Sequence, residues 1–172
     1  MLNRLQGAFA SFQKHNVKYV IIGGIASILH GVPRATFDLD ILIEASPDNA
    51  RRLLDALSEA GFGMDALTTV DDILAHEITI FKDRVRIDVQ TSTPGLDFQK
   101  AWERRETMEY QGQRFYVVTR EDLIASNRAA GRKVERPRAG RRQGIRFPRK
   151  YCHPAPPVSQ GDRVSGTGEA CT

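Results

Sequence analysis

A short apolar segment that ends in two glycines constrains the fold of this chain more than any other feature. Residues 17–22 read Val-Lys-Tyr-Val-Ile-Ile, a β-branched and aromatic run that predicts a buried strand. Gly23 and Gly24 end that strand, and residues 25–30 follow as a short predicted helix. Two glycines at such a junction let backbone N–H groups approach a bound anion closely, so we expect an anion site here.

The next predicted strand carries two carboxylates. Residues 36–43 read Thr-Phe-Asp-Leu-Asp-Ile-Leu-Ile. The period of two in a strand puts Asp38 and Asp40 on one face, about 6–7 Å apart. Carboxylates this close repel each other unless a cation lies between them, and Mg²⁺ prefers oxygen ligands of this kind. We expect the other face to turn three apolar side chains to the core, those of Phe37, Leu39 and Ile41.

A third carboxylate lies on a later strand. Residues 76–82 and 84–90 predict a hairpin, and Asp88 faces away from its apolar neighbours in the second arm. If that arm lies beside the first acidic strand, three carboxylates could hold two metal ions about 3.5–4 Å apart, as in phosphoryl-transfer sites. Arg34 precedes the acidic strand and could contact a phosphate.

The remaining elements alternate between helix and strand. An amphipathic helix is predicted at the N-terminus, and Ser46 caps a helix that runs to about Ala60, with Gly61 as its C-cap. Residues 95–109 are interpreted as a mostly polar helical stretch. Residues 115–118 predict a last short strand, after which Thr119 caps a final helix.

Charge and composition divide the chain into two parts. Residues 1–127 hold 14 Lys and Arg against 18 Asp and Glu, whereas residues 128–172 hold 11 against 3, so the basic character belongs to the C-terminal part. From residue 133 onward Arg, Pro, Gly and Ser dominate without helical or strand period, and we interpret residues 133–172 as a disordered tail. Residues 1–127 contain no cysteine, which excludes a disulfide scaffold there and favours the cytoplasm. No apolar run approaches the ~18 residues of a membrane span, so we expect no membrane association.

The acidic strands and the glycine turn together resemble a known family. Gly23-Gly24, His30-Gly31, Arg34, Thr36, Asp38-Leu39-Asp40 and the later Asp88 are similar to the motifs of minimal nucleotidyltransferases in the DNA polymerase β superfamily, especially the bacterial AbiEii/MNT-like group. The resemblance covers residues 1–132. It implies an α/β (α+β) fold with a small mixed sheet flanked by helices, Mg²⁺ as cofactor, and transfer of a nucleoside monophosphate from an NTP such as ATP to a hydroxyl.

The resemblance also assigns roles to individual residues. It implies that Asp38 and Asp40 bind metal, and that Asp88 binds one metal ion and helps to activate the attacking hydroxyl. Nucleotide-binding roles are implied for five residues: Gly23, Gly24, Ser27, Arg34 and Thr36. The AbiEii/MNT-like group includes components of toxin–antitoxin pairs.

The chain departs from the family at three places. Many relatives have Gly-Ser at the turn, where this chain has Gly24, so backbone amides and Ser27 would have to serve instead. The final helix matches at Leu123, Ile124 and Arg132, but Asn127 stands where relatives have Lys. The acidic segment that follows in relatives is missing. One hypothesis for this loss is a frameshift near residue 136, and sequencing the locus would test it.

Two functions of different kind follow from these patterns. The first is an Mg²⁺-dependent nucleotidyltransferase whose acceptor is a tRNA, a protein or a small molecule, with a partner subunit or a homodimer completing the acceptor site. The second is a catalytically impaired module on the same fold that binds nucleotides or proteins. A metal-dependent nuclease ranks below both, because no His or Lys is placed as the general base of the usual nuclease arrangements.

Overall fold

The computed structural model describes residues 2–62, 68–83 and 85–131, with side chains from Leu5 onward. The helices in these ranges are α1 (Leu2–Lys14), α2 (Gly23–Leu29), α3 (Pro47–Glu59), α4 (Val70–Ala75), α5 (Phe98–Arg104) and α6 (Arg120–Ala129). The strands are β1 (Tyr19–Ile22), β2 (Asp38–Ile43), β3 (Ile78–Lys82), β4 (Arg86–Gln90), β5 (Glu106–Tyr110) and β6 (Gln113–Val117). The predictions for Arg132 and for residues 133–172 lie outside the described residues.

The six strands form one mixed sheet in the order β3-β4-β2-β1-β6-β5. β2 pairs with β4 and β1 pairs with β6 in parallel, whereas the other three pairs are antiparallel. This arrangement confirms the expected α/β fold with a small mixed sheet flanked by helices. It also makes neighbours of β2 and β4, the two strands that carry the acidic residues.

Aromatic and aliphatic side chains attach α1 to the sheet. Phe9 stacks on Phe115 of β6 with ring centroids 4.8 Å apart, and Phe12 meets Tyr19 of β1 edge-on at 5.0 Å. Full burial of such a side chain contributes about 1.5–3 kcal/mol. The Ser11 hydroxyl donates a hydrogen bond of 2.7 Å to the backbone oxygen of Ala56, which joins α1 to α3. Helix α1 therefore packs on β6 and β1 and is joined to α3 by a buried hydrogen bond.

Several local predictions are confirmed by the capping geometry. The Ser46 hydroxyl accepts a hydrogen bond from the Asn49 amide, so α3 begins where Ser46 and the following proline predict. Gly61 ends the same helix with a φ of 76°, a left-handed conformation that glycine adopts without steric cost. Thr119 accepts a hydrogen bond from the Asp122 amide at the start of α6.

The prediction of a helix over residues 95–109 is wrong in its second half. The helix α5 ends at Arg104, and the next residues form β5, which pairs with β6. Gln111 and Gly112 make the connection with φ values of 50° and 78°. A two-residue loop with both φ values positive matches the right-handed twist of the paired strands, so it closes a hairpin here.

Two further differences concern α4 and Phe37. The sequence pattern did not predict α4, which a reciprocal cap stabilises: the Thr69 hydroxyl accepts from the Asp72 amide while the Asp72 carboxylate accepts from the Thr69 amide. The expectation that Phe37 faces the core is wrong, because β2 begins at Asp38 and the side chain of Phe37 is 79% exposed. Leu39 and Ile41 are fully buried, as expected.

Candidate active site

The three predicted carboxylates lie on two adjacent parallel strands. Asp40 of β2 is in register with Asp88 of β4, and Asp38 is in register with Arg86. Residues in register share a face of the sheet, and so do residues two apart in one strand. The four side chains therefore form a two-by-two array on one face, while the fully buried Leu39 and Ile87 anchor the two strands from the other face.

The glycine turn lies directly against this array. Ile22 of β1 is in register with Asp40, and Gly23 follows with a φ of 64°. A Cβ atom on Gly23 would lie 2.3 Å from Oδ2 of Asp40, and a Cβ atom on Gly24 would lie 2.9 Å from Oγ1 of Thr36. A side chain at either position would therefore force Asp40 or Thr36 to shift, and at Gly23 it would also have to adopt a left-handed backbone conformation. The turn and the acidic strand form one compact unit.

The sequence pattern placed α2 after the glycines, but α2 begins at Gly23 itself. Ile22 is the residue before the helix, and its side chain makes no capping hydrogen bond. The first amides of α2 consequently have no side-chain cap at that position, in contrast to those of α3 and α6.

The residues with implied nucleotide-binding roles differ in their surroundings. Ser27 is buried, and its hydroxyl donates a hydrogen bond of 3.0 Å to the backbone oxygen of Gly23. Thr36 is half-buried against Gly24, and Arg34 is exposed. His30 follows α2 as its C-cap residue, and its Nε2 lies 2.8 Å from the backbone oxygen of Val118, which links the end of α2 to the residue after β6.

Arg86 is a residue of the site that the sequence analysis did not identify. Its Nε donates to Oδ1 of Asp88 at 2.6 Å, and its NH2 group donates to Oδ2 at 2.8 Å. These hydrogen bonds to Asp88 raise the pKa of Arg86, and the negative charges of Asp88, Asp38 and Asp40 add to that increase. The sequence could have identified Arg86 by its spacing, because it lies two residues before Asp88 on an alternating strand and therefore shares its face.

The donor chemistry of the array fits Mg²⁺, but the array is not preassembled for it. Three carboxylates on neighbouring strands are hard oxygen donors of the kind that Mg²⁺ binds. Among the residues that the structure describes, however, no three His, Cys, Asp or Glu side chains converge as a group that could hold a metal ion. Both oxygens of Asp88 contact Arg86 instead. Asp38, Asp40 and Asp88 would therefore have to come closer together before the three could hold a metal ion, and Asp88 would offer the lone pairs that its hydrogen bonds to Arg86 leave.

An apolar rim borders the array on the side of β3. Ile80 is in register with Asp88 and therefore shares its face, yet 53% of its surface is exposed. Ile78, two residues earlier, is 51% exposed.

No helix in the described ranges is long and apolar enough to cross a membrane.

Comparison with known proteins supports the assignment of the fold. The structure is similar to the crystal structure of a "putative nucleotidyltransferase" from Thermotoga maritima, with a TM-score of 0.57 and 17% sequence identity. The match covers 76% of this chain and 84% of that chain. At this identity the likeness shows the fold alone. No protein of curated function matches the chain significantly.

The family is shown by the sequence itself. The family described as "Nucleotidyltransferase of unknown function (DUF6036)" matches residues 2–136, which include the glycine turn, β2 and β4. The matched part is well over half of the chain. The chain therefore belongs to this nucleotidyltransferase family.

Proposed function

We propose that this chain is an Mg²⁺-dependent nucleotidyltransferase that moves a nucleoside monophosphate from an NTP to a hydroxyl group. The observation that carries the proposal is the register of β2 and β4, which sets Asp40 beside Asp88 and Asp38 two residues away on the same face. The contact of Gly23 with Asp40 adds a turn with backbone amides next to the carboxylates.

In this proposal the residues around the turn bind the nucleotide. The amides of Gly23 and Gly24 approach the triphosphate, because neither residue has a side chain to keep it away. Arg34 is exposed and can form charge-assisted hydrogen bonds with a phosphate. Thr36, which contacts Gly24, and Ser27, which is bonded to Gly23, hold the shape of the turn.

The carboxylates carry the chemistry. Asp38, Asp40 and Asp88 would hold Mg²⁺, which when bound supplies charge neutralisation at the phosphate oxygens. Asp88 accepts the proton of the acceptor hydroxyl. The hydroxyl oxygen forms a bond to the α-phosphorus, and the bond from that phosphorus to the bridging oxygen of the β-phosphate breaks. Pyrophosphate is the leaving group, so the nucleoside monophosphate is transferred intact.

We propose three classes of molecule as the acceptor. A tRNA, a protein or a small molecule could each supply the hydroxyl, and the resemblance to the AbiEii/MNT-like group favours a component of a toxin–antitoxin pair in the cytoplasm. The exposed Ile78 and Ile80 beside Asp88 favour an acceptor that presents some apolar surface. Residues 1–127 hold more Asp and Glu than Lys and Arg. This part alone is therefore poorly suited to bind a polyanion. A partner subunit or a second copy of the chain would complete the acceptor site.

Transfer of label from NTPs tests this proposal. The protein is incubated with Mg²⁺, labelled NTPs and cell extract, and compared with the Asp38→Ala plus Asp40→Ala variant. We expect labelled product from the wild type and none from the variant. Asp55→Asn is the matched control, because it removes an exposed carboxylate on α3 and should leave labelling unchanged. Equal labelling by the wild type and the double variant would contradict the proposed mechanism.

A second candidate is a module that binds nucleotides or proteins without catalysis. Two features favour it: Arg86 is bonded to both oxygens of Asp88, and Asn127 stands where the resemblance to the family implies a lysine. Calorimetry separates the candidates at the binding step. Mg²⁺-dependent NTP binding without transfer of label would support the impaired module, whereas binding with transfer supports the enzyme.

A further inference from the structure

A cavity lies at the end of β1 that is opposite to the glycine turn. It has a volume of about 430 Å³ and is bordered by Tyr19, the first residue of β1, whereas Gly23 follows the last residue of that strand. Tyr19 and Ile22 are three residues apart, which corresponds to about 10 Å along an extended strand. The described residues that line the cavity include none of the aspartates or glycines of the candidate active site. The cavity is therefore separate from that site.

Four aromatic side chains form much of the cavity wall. Phe12 and Tyr19 are buried, whereas Trp102 and Tyr116 are partly buried. The rings of Trp102 and Tyr116 meet edge-on with centroids 5.1 Å apart, and the Tyr116 centroid lies 6.0 Å from that of Tyr19. Small-molecule sites in proteins commonly have volumes of about 300–1,000 Å³ and walls of this kind. The cavity is thus large enough for one ring with its substituents.

The charged side chains in the described lining are all cationic. They are Lys18, Arg52 and Arg114. Lys18 is paired with Glu44 at 2.8 Å, but no carboxylate of the described residues forms an ion pair with Arg52 or Arg114. Both arginines are exposed, so their guanidinium groups can turn toward a ligand. The ligand charge that fits this rim is negative.

Arg105 adds another positive charge beside the aromatic wall. Its Cζ lies 3.7 Å from the centroid of the Trp102 ring and 4.8 Å from that of the Tyr116 ring. Burial lowers the pKa of Arg105, and its Nε is buried without a hydrogen-bond partner in the described part of the chain. No described carboxylate forms an ion pair with it. Because burial of an unpaired cation is costly, an anion in the adjacent cavity would offset part of that cost.

We propose that this cavity binds a small aromatic anion, a molecule of nucleotide size or smaller in which a ring carries a phosphate or carboxylate group. The ring contacts the aromatic wall at Trp102 and Tyr116. The anionic group lies at the rim, where Arg52 and Arg114 donate charge-assisted hydrogen bonds. Nucleoside monophosphates and aromatic carboxylates share this chemistry. The site does not depend on the proposed transfer reaction, because it uses other residues and no metal ion.

The fluorescence of Trp102 reports on this cavity, because the sequence contains one tryptophan. The full chain is titrated with AMP and, separately, with benzoate in the absence of divalent metal. We expect at least one of these probes to change the fluorescence to saturation. Adenosine lacks the charge and inorganic phosphate lacks the ring, so each should bind at least about tenfold more weakly. Calorimetry of the same titrations detects any binding that leaves the fluorescence unchanged.

Three variants locate the binding. Arg52→Gln plus Arg114→Gln removes the two unpaired rim charges and should weaken binding about tenfold. Arg51→Gln is the matched control, because it removes the neighbouring exposed arginine of α3, which does not line the cavity. Asp38→Ala plus Asp40→Ala should bind like the wild type, so failure of this site and failure of the proposed function are distinguishable.

Three results would overturn the inference. The first is the absence of binding by both AMP and benzoate at millimolar concentration. The second is equally tight binding of adenosine or inorganic phosphate. The third is binding that is lost in the aspartate variant or that is unchanged in the Arg52 and Arg114 variant.

Discussion

Replacement of Gly23 by alanine should damage both the stability of the fold and the geometry of the carboxylates. Gly23 has a φ of 64°, and an alanine in that left-handed conformation costs roughly 1–2 kcal/mol. The new Cβ atom would also lie 2.3 Å from Oδ2, 2.7 Å from Cγ and 3.0 Å from Cβ of Asp40. Asp40 must then rotate away, and overpacking of this kind costs about 1–3 kcal/mol. We expect Gly23→Ala to lower the free energy of unfolding by about 2–5 kcal/mol.

Urea unfolding measures this loss, and two comparisons isolate its cause. Gly31→Ala is the matched control, because Gly31 has a φ of 87° but no atom within 4 Å of the added Cβ, so only backbone strain remains. In an Asp40→Ala background, the cost of Gly23→Ala should fall toward that of the control, because the carboxylate is absent. The reasoning is refuted if Gly23→Ala costs no more than Gly31→Ala, or if Asp40→Ala leaves its cost unchanged.

Two further predictions concern the stability of the fold. Burial raises the pKa of the Tyr19 phenol far above its ordinary value near 10, so ionisation of this phenol in the unfolded chain should lower stability as the pH rises through and above about 10. Tyr19→Phe should reduce this alkaline loss of stability, measured by urea unfolding at several pH values. An unchanged pH profile would contradict the raised pKa of Tyr19. Ser46→Ala should lower the free energy of unfolding by about 1 kcal/mol by removing the cap of α3, whereas a loss below a few tenths would show that the cap is not stabilising.

Sequence patterns predicted those parts of the fold in which local chemistry decides the conformation. Three such features follow from a few neighbouring residues in the sequence. They are the cap at Ser46, the left-handed glycine at Gly61 and the strand that precedes Gly23. The β5 strand was missed because its identity depends on β6. Residues 106–110 mix strand-favouring Thr107 and Tyr110 with two glutamates, so their local preference is divided, and the turn at Gln111 and Gly112 is what pairs them with a strand.

The candidate site likewise combines features that the local sequence predicts with features that depend on strand pairing. The shared face of Asp38 and Asp40 follows from the period of two in a strand, whereas the sequence left open whether the later strand with Asp88 lies beside them, as the pairing of β2 with β4 shows it does. The contact of Gly23 with Asp40 depends on the antiparallel pairing of β1 with β2, which no local pattern specifies. Arg86 was missed for a different reason. Its role depends on the position of a neighbouring carboxylate, although its shared face with Asp88 could have been inferred from spacing.

The position of the transferred label tests the central claim most directly. Wild-type protein is incubated with Mg²⁺ and cell extract in two reactions, one with NTP labelled in the α-phosphate and one with NTP labelled in the γ-phosphate. Nucleotidyl transfer predicts that the acceptor gains the α-label, that the γ-label leaves as pyrophosphate, and that Asp38→Ala plus Asp40→Ala abolishes the transfer. Transfer of the γ-label to an acceptor, or transfer of the α-label that survives in the double variant, would contradict the account.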